Sequence, residues 1–368
     1  MASIIGAGPV GNYVAYLLAK QGEHVSVYED HALAGKPVQC TGILTPYLSD
    51  VLKVEGWEDY LVNMIDSTRV FGPDGQSVTI RLKKNFIVDR ALFDQHLARL
   101  AKDAGARYFY KHRFHGCIFK DDGVHFSFEH GRHGVDTHLI GADGPGSLVG
   151  KSAGIYGKRK LVIGVQARVA VHDIESSVVD FYLNKQEKGY IGWVVPEQEH
   201  IARVGVASYA HAHELFHDLM KTVGGGKILE WQSGAIPLYD PRLEMGVSKG
   251  GGHVFLVGDA ATMVKATTYG GIVPGMKAAQ GLAETLAYGG DAWDYDIAWR
   301  RKVGKELWLH LLIRKSMDRF SVVDYNRLLS YVNQKRILAL IGKHDREYPS
   351  KLLLQMLVKE PRFLRFTF

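Results

Sequence analysis

The sequence predicts an α/β chain, in which a Rossmann-like dinucleotide-binding domain is interleaved with an antiparallel-sheet domain and followed by a C-terminal helical region. Three observations carry this. Met1-Ala2-Ser3-Ile4-Ile5 runs straight into Gly6-Ala7-Gly8-Pro9-Val10-Gly11, and only then does helical spacing begin at Val14, Leu17 and Leu18. Short alternating segments fill the middle of the chain, where Val78 to Leu82, Leu161 to Val171, Val178 to Leu183 and Ile201 to Ala207 read as strands. From Trp293 onward the apolar spacing turns helical, through Trp299, Val303, Leu307 and Leu311 and then Leu328, Val332, Ile337 and Leu340.

The first element is a phosphate-binding turn. Gly6 permits the tight bend after the strand, Gly8 leaves bare backbone for a pyrophosphate, and Gly11 lets the helix pack close, its N-terminus facing the phosphate charge. A second strand, His24 to Tyr28, ends on Glu29, 18 positions after Gly11 (29 − 11), near the spacing at which an acidic side chain accepts a hydrogen bond from an adenosine ribose hydroxyl. Asp89-Arg90-Ala91-Leu92 starts a helix that runs to about Gly105. Leu139-Ile140-Gly141-Ala142-Asp143-Gly144, with Ser147, is a strand ending in a tight turn. Far downstream, the apolar strand His253 to Val257 delivers Gly258-Asp259-Ala260-Ala261, and Tyr269-Gly270-Gly271-Ile272 opens a helix marked by Met276, Ala279, Leu282 and Leu286. This is the layout of a flavin site. The Asp after the strand bonds the ribityl chain, while the glycines and the helix N-terminus lie against the isoalloxazine ring and favour anionic reduced flavin. The cofactor signals fall in residues 1–68, 85–160 and 245–290, which predicts a discontinuous FAD-binding domain. Residues 69–84 and 161–244 are then the substrate-binding sheet domain, and 291–368 the helical region.

These pieces, in this order, resemble the large FAD-dependent family that includes aromatic-ring hydroxylases, flavin halogenases and geranylgeranyl reductases. Within it, Lys188-Gly189-Tyr190-Ile191-Gly192-Trp193-Val194-Val195-Pro196 resembles the aromatic-x-Trp-x-x-Pro signature of geranylgeranyl reductases, and Pro37-Val38-Gln39-Cys40-Thr41-Gly42 resembles their Cys-containing turn near the flavin. Ile191 stands where that family usually has Tyr or Phe, and Val195 where it has Phe or Ile. The resemblance implies FAD held by Gly6, Gly8, Gly11, Glu29, Arg90, Asp259, Gly270, Gly271 and Ile272. It further implies an isoprenoid lipid substrate of the archaeal ether-lipid kind, bound by Tyr190, Trp193 and Pro196, and electrons from NAD(P)H or a ferredoxin. Halogenases carry a similar Trp-x-x-Pro block, so a flavin monooxygenase or halogenase stays open. In another class, so does a prenyl-lipid escort protein that does no redox work.

The chemistry restricts the catalytic candidates. An isolated isoprenoid double bond has no carbonyl to hold negative charge, so hydride addition alone would leave a carbanion. Protonation of the less substituted carbon makes tertiary positive charge, which hydride from flavin N5 quenches and which a facing aromatic ring stabilises by about 1–2 kcal/mol. Tyr190 and Trp193 are the candidates for that face, and Cys40 for the proton donor or pocket wall.

Composition fits these expectations. A 46% hydrophobic chain of 368 residues can bury a sizeable core, and a net charge of +6 is mild for a nucleic-acid binder but compatible with anionic headgroups, so no nucleic-acid partner is expected. Cys40 and Cys117 are the two cysteines, which points to a reducing compartment. Cleavage of a leader would remove the glycine turn, and no apolar run reaches the roughly 18 residues of a membrane span, so a cytoplasmic location is expected, with peripheral contact at the inner face of the membrane. The basic and apolar stretches 351–359 and 362–368, split by Pro361, are expected to rest at a bilayer or to pack as a terminal helix. His213-Glu214-Leu215-Phe216-His217 matches HExxH but has no evident third ligand, so no metal is expected.

Overall fold

The computed structural model describes residues 1–52, 57–184, 187–344 and 347–366; Thr367 and Phe368, at the end of the basic-apolar stretch, lie outside them. The strand Ala2–Ile5 is buried along its whole length and pairs in parallel with Val25–Glu29 on one side and His138–Gly141 on the other. A strand buried on both faces suits the middle of a parallel sheet covered on each side. Arg107–Tyr110 and Gly252–Leu256 extend the sheet in parallel, and Gly246–Lys249 closes one edge antiparallel, giving six strands. The helix Pro9–Lys20 follows the glycine turn with Pro at its start and packs against both Arg90–Asp103 and Ile272–Ala287. Asp89 caps Arg90–Asp103 by accepting from the Leu92 N–H at 2.9 Å, where the sequence placed that helix start.

The second sheet has eight strands in the order Lys227–Pro237, Leu161–Ala170, Ile201–Ser208, Ile191–Gln198, Val178–Tyr182, Leu61–Phe71, Ser77–Val88 and Ile43–Leu44. It is antiparallel except for Val178–Tyr182 beside Leu61–Phe71, which run parallel. The chain leaves this sheet at Val88, builds much of the cofactor domain and returns at Leu161, and such a long crossover permits a parallel neighbour where a tight turn cannot. The ribbon Leu61–Phe71 and Ser77–Val88 is also wider than the 69–84 expected. Its first strand is largely half-exposed, so strict in-out alternation does not mark its ends.

One face of this sheet packs on the helix Ala212–Thr222, with Val194, Val204 and Val206 against Leu215, Phe216 and Leu219. That helix carries the HExxH match, and the His213 and His217 rings group with Trp231 at 5.6 and 6.2 Å as an aromatic cluster. The opposite face turns toward the cofactor domain. The C-terminal region forms the helices Ala292–Trp299, Lys305–Met317, Val322–Val332, Lys335–Lys343 and Pro349–Lys359. Ile337, Leu340, Met356 and Phe363 bury one another, and Lys335–Lys343 packs on the strand Ser77–Val88. Among the described residues, no helix is long and apolar enough to cross a membrane.

Candidate active site

A cavity of about 830 Å³ lies between the two sheets, walled on one side by Gly6, Gly8, Glu29 and Asp259 and on the other by Gln166, Trp193 and Gln232. The glycine turn forms its floor. Gly6 sits at φ +103, and a Cβ there would stand 2.5 Å from the Ala142 carbonyl oxygen, so both conformation and space demand glycine. A Cβ at Gly11 would run into the Gly6 carbonyl. Gly8 differs: nothing lies within 4 Å of the position its Cβ would take, so its bareness leaves room on the cavity side. Glu29 is buried beside the turn, its Oε2 accepting from the Ala7 N–H at 2.7 Å and its Oε1 from the His31 N–H at 3.0 Å. Burial, and then neighbouring Asp30, push its carboxyl above the usual range despite those bonds.

Asp259 stands where the strand Gly252–Leu256 breaks into a tight turn. Burial pushes its carboxyl up to about 6, with the Arg90 charge pulling the other way, and no donor among the described residues reaches it. A carboxylate enclosed at a cavity wall without protein donors suits a ligand hydroxyl. Gly271 keeps that space open, because a Cβ there would lie 2.6 Å from Asp259 Oδ1. Ile272 begins the following helix, so its unpaired first N–H groups and positive dipole end face the same cavity. These features fit a flavin dinucleotide: open backbone for the pyrophosphate, an acceptor for the ribityl chain, and a positive helix end for the ring.

Arg90 is held by Asp94 at 3.1 and 3.0 Å and lies beside Cys40. Burial opposes its charge, but the Asp94 carboxylate holds the guanidinium above its ordinary range. Cys40 is half-buried on the cavity wall, its Sγ accepting from the Gly42 N–H at 3.4 Å. Its turn is pinned to the large sheet by residues that sequence reasoning missed. Gln166 Oε1 accepts from Thr41 Oγ1 at 2.7 Å and from the Trp193 indole N–H at 2.8 Å, and Gln166 Nε2 donates to Gln232 Oε1 at 2.7 Å. Buried Arg203 donates to the Thr41 and Val88 carbonyls at 2.5 and 3.1 Å. Gln166 and Gln232 are direct cross-strand partners, and the one available signal was a polar residue at an inward position of each strand.

Of the three residues expected to bind substrate, the structure brings Trp193 alone to the cavity. Tyr190 is 5% exposed on the opposite side of the sheet, packed with Leu215, Phe216 and Leu219. Pro196 is buried and shares the face of Val194, its carbonyl accepting from Asn63 at 3.0 Å. The reason is the two-residue period of a strand: Ile191, Trp193 and Val195 point one way, and the residues between them point the other. The aromatic wall is completed instead by Phe181 and Tyr269. Tyr269 sits at φ 57, unusual for a non-glycine residue, with its hydroxyl donating to the Gly189 carbonyl at 2.6 Å. Arg314, 1% exposed, braces the same loop through the Ala266 and Thr267 carbonyls at 2.9 and 3.0 Å.

Known proteins resemble this chain in both sequence and shape. Residues 1–292 match the family described as FAD binding domain. The digeranylgeranylglycerophospholipid reductase of Methanothrix thermoacetophila is 29% identical over 365 residues, 91% of either chain. The protein of the same name from Methanocella arvoryzae is 31% identical over 350 residues, 86% of this chain and 87% of its own. A geranylgeranyl bacteriochlorophyll reductase-like protein from Thermoplasma acidophilum superposes with a TM-score of 0.86 at 22% identity, covering 99% of this chain and 97% of that one. The flavin-dependent brominase Bmp2 shares the fold at a TM-score of 0.70 and 19% identity, covering 99% and 98%. With its glycine turn, acidic strand ends and paired sheets in place, the chain belongs to the FAD-binding flavoproteins and, within them, to the digeranylgeranylglycerophospholipid reductase family.

Proposed function

We propose that this protein is an FAD-dependent reductase that adds hydrogen across the C=C bonds of geranylgeranyl chains, in archaeal-type membrane ether lipids or their precursors. The observation that carries the reading is one cavity in which the dinucleotide determinants and an aromatic wall face each other, with Cys40 at their junction. Bound FAD, once reduced, supplies the hydride. Gly8, Glu29 and Asp259 hold and orient the dinucleotide. Phe181, Ile191, Trp193 and Tyr269 exclude water from the reacting carbons, and the Trp193 face supports positive charge developing there. Gln166 fixes the Trp193 ring through its indole N–H, and Arg203 fixes the Cys40 turn through the Thr41 carbonyl, so that Cys40 Sγ holds the proton. Electrons come from NAD(P)H or a ferredoxin. The exposed Leu354 and Val358, flanked by Lys351 and Lys359, rest the protein on the inner membrane face, which predicts that Leu354→Glu/Val358→Glu abolishes co-sedimentation with anionic vesicles.

The decisive test is mass spectrometry of a geranylgeranyl lipid incubated anaerobically with dithionite-reduced protein. A gain of two hydrogens per double bond is expected. Product that forms only in air would transfer the protein to the oxygen-using hydroxylases and halogenases, and a purified protein from which no flavin can be extracted would make it a lipid carrier.

A further inference from the structure

The loop between Asp259 and the helix Ile272–Ala287 carries a charge that the mechanism above does not use. Lys265 is 5% exposed and borders the cavity behind Gly270, with its Cε and Nζ 3.1 and 3.4 Å from where a Gly270 Cβ would stand. The backbone closes around it: the Lys265 N–H donates to the Gly270 carbonyl at 3.2 Å, and the Tyr269 N–H to the Lys265 carbonyl at 2.8 Å. Its ammonium forms an ion pair with Glu347, also 5% exposed, which arrives from the C-terminal region. Glu347 accepts in addition from Thr45 Oγ1 at 3.3 Å, just beyond the Cys40 turn. Lys277, capped by the Tyr47 and Tyr348 rings at 4.0 and 4.2 Å, and Glu306 border the same small gap.

We propose that Lys265 and Glu347 form a charge pair that sets the reduction potential of the bound FAD, the lysine favouring the reduced anion and the glutamate limiting that effect. Two electrons and one proton convert FAD to FADH⁻, which adds one negative charge to the ring. A cation at the Gly270 wall stabilises that form more than the oxidised one, and the enclosed site strengthens the attraction. The helix N-terminus at Ile272 acts in the same direction, so the balance within the buried pair decides how much positive charge the ring meets. Neutralising either member of the pair shifts the net charge beside the ring, in the direction opposite to the charge removed. The two single variants therefore have opposite signs. Glu347→Gln removes a negative charge from the site and raises the potential, Lys265→Met removes a positive charge and lowers it, and the double variant returns close to the native value. A purely structural role would move both single variants the same way.

The inference rests on the FAD reading of the cavity and not on which alkene is reduced. The test equilibrates FAD-loaded protein with dithionite and a reference dye, and separately titrates it with sulfite, whose adduct at flavin N5 also places negative charge on the ring. Sulfite affinity is expected to fall about tenfold in Lys265→Met and to rise in Glu347→Gln, in step with the potentials. Four proteins with one common potential and one sulfite affinity would overturn the inference while leaving the FAD site standing. Failure of the native protein to hold FAD would overturn the site itself. If Lys265→Met does not fold, Glu347→Gln decides alone, and a potential equal to or below the native one refutes the proposal.

Discussion

At the residue scale, the glycine turn separates two requirements that the motif combines. Gly11 is needed by the protein itself, because a side chain there meets the Gly6 carbonyl; Gly8 is needed by the ligand, because its surroundings are open. Gly8→Val is therefore expected to melt close to the native apoprotein yet to purify without yellow cofactor, whereas Gly11→Val should lose the fold. Asp259 gives a pH signature. Its folded carboxyl, at about 6, lies above the ordinary 3.8, so the folded apoprotein binds the extra proton between those values. This contribution to apoprotein stability is thus fully present below about pH 4 and is lost as pH rises through 6, a change of order 2–3 kcal/mol that Asp259→Asn should remove. FAD affinity should move the opposite way, climbing through pH 6 as the carboxylate becomes able to accept a charge-assisted bond worth about 1.5–3 kcal/mol. Denaturant unfolding of the apoprotein reads the first trend and isothermal titration with FAD the second, each at several pH values. For Cys40, a proton-donor role predicts that Cys40→Ser keeps part of the turnover and Cys40→Ala loses most of it, with equal FAD content; near-native rates in both would leave Cys40 as cavity wall.

At the element scale, the strand Ile191–Gln198 shows what a one-residue shift of phase costs a sequence reading. The motif marks this strand correctly, but Tyr190 and Trp193 are three apart, an odd interval, and in an extended chain an odd interval puts side chains on opposite faces. Trp193→Ala should lower turnover roughly 5- to 30-fold, the equivalent of about 1–2 kcal/mol of lost cation stabilisation, while FAD content stays native. Tyr190→Ala, by contrast, opens a hole between the sheet and the helix Ala212–Thr222. It should cost about 3–5 kcal/mol in denaturant unfolding and leave the choice of lipid unchanged. The missed residues Gln166 and Gln232 have the same origin. A glutamine in an apolar strand has no local meaning until its cross-strand partner is known, and here that partner lies 66 positions away (232 − 166).

At the scale of the whole molecule, the cofactor domain is closed by parts far apart in the chain. Glu347 from the C-terminal region reaches Lys265 behind the flavin wall and Thr45 beside the Cys40 turn, while Met356 and Phe363 are buried against Ile337 and Leu340. The terminal stretch thus belongs to the folded body. Deleting residues 346–368 is expected to release FAD and lower the melting temperature, which flavin absorbance during a thermal melt would show. A truncated protein that keeps native FAD content and stability would mean that the segment is an appendage. The cavity itself exists only at this scale, since one wall comes from the six-stranded sheet and the other from the eight-stranded one.

Local sequence marks the glycine turn, the acidic residues Glu29 and Asp259, the cap at Asp89 and the strand–turn–helix order of the cofactor segments. All of these follow from short-range physics: where the backbone tolerates no Cβ, where a first-turn N–H needs an acceptor, and which apolar period repeats. Long-range contacts set the rest: Trp193 faces the cavity and Tyr190 does not, one pair in the large sheet is parallel, Tyr269 completes the aromatic wall, and Lys265 pairs with Glu347. These depend on register and on contacts between distant segments, and the period of a strand fixes that its side chains alternate but not which set turns inward.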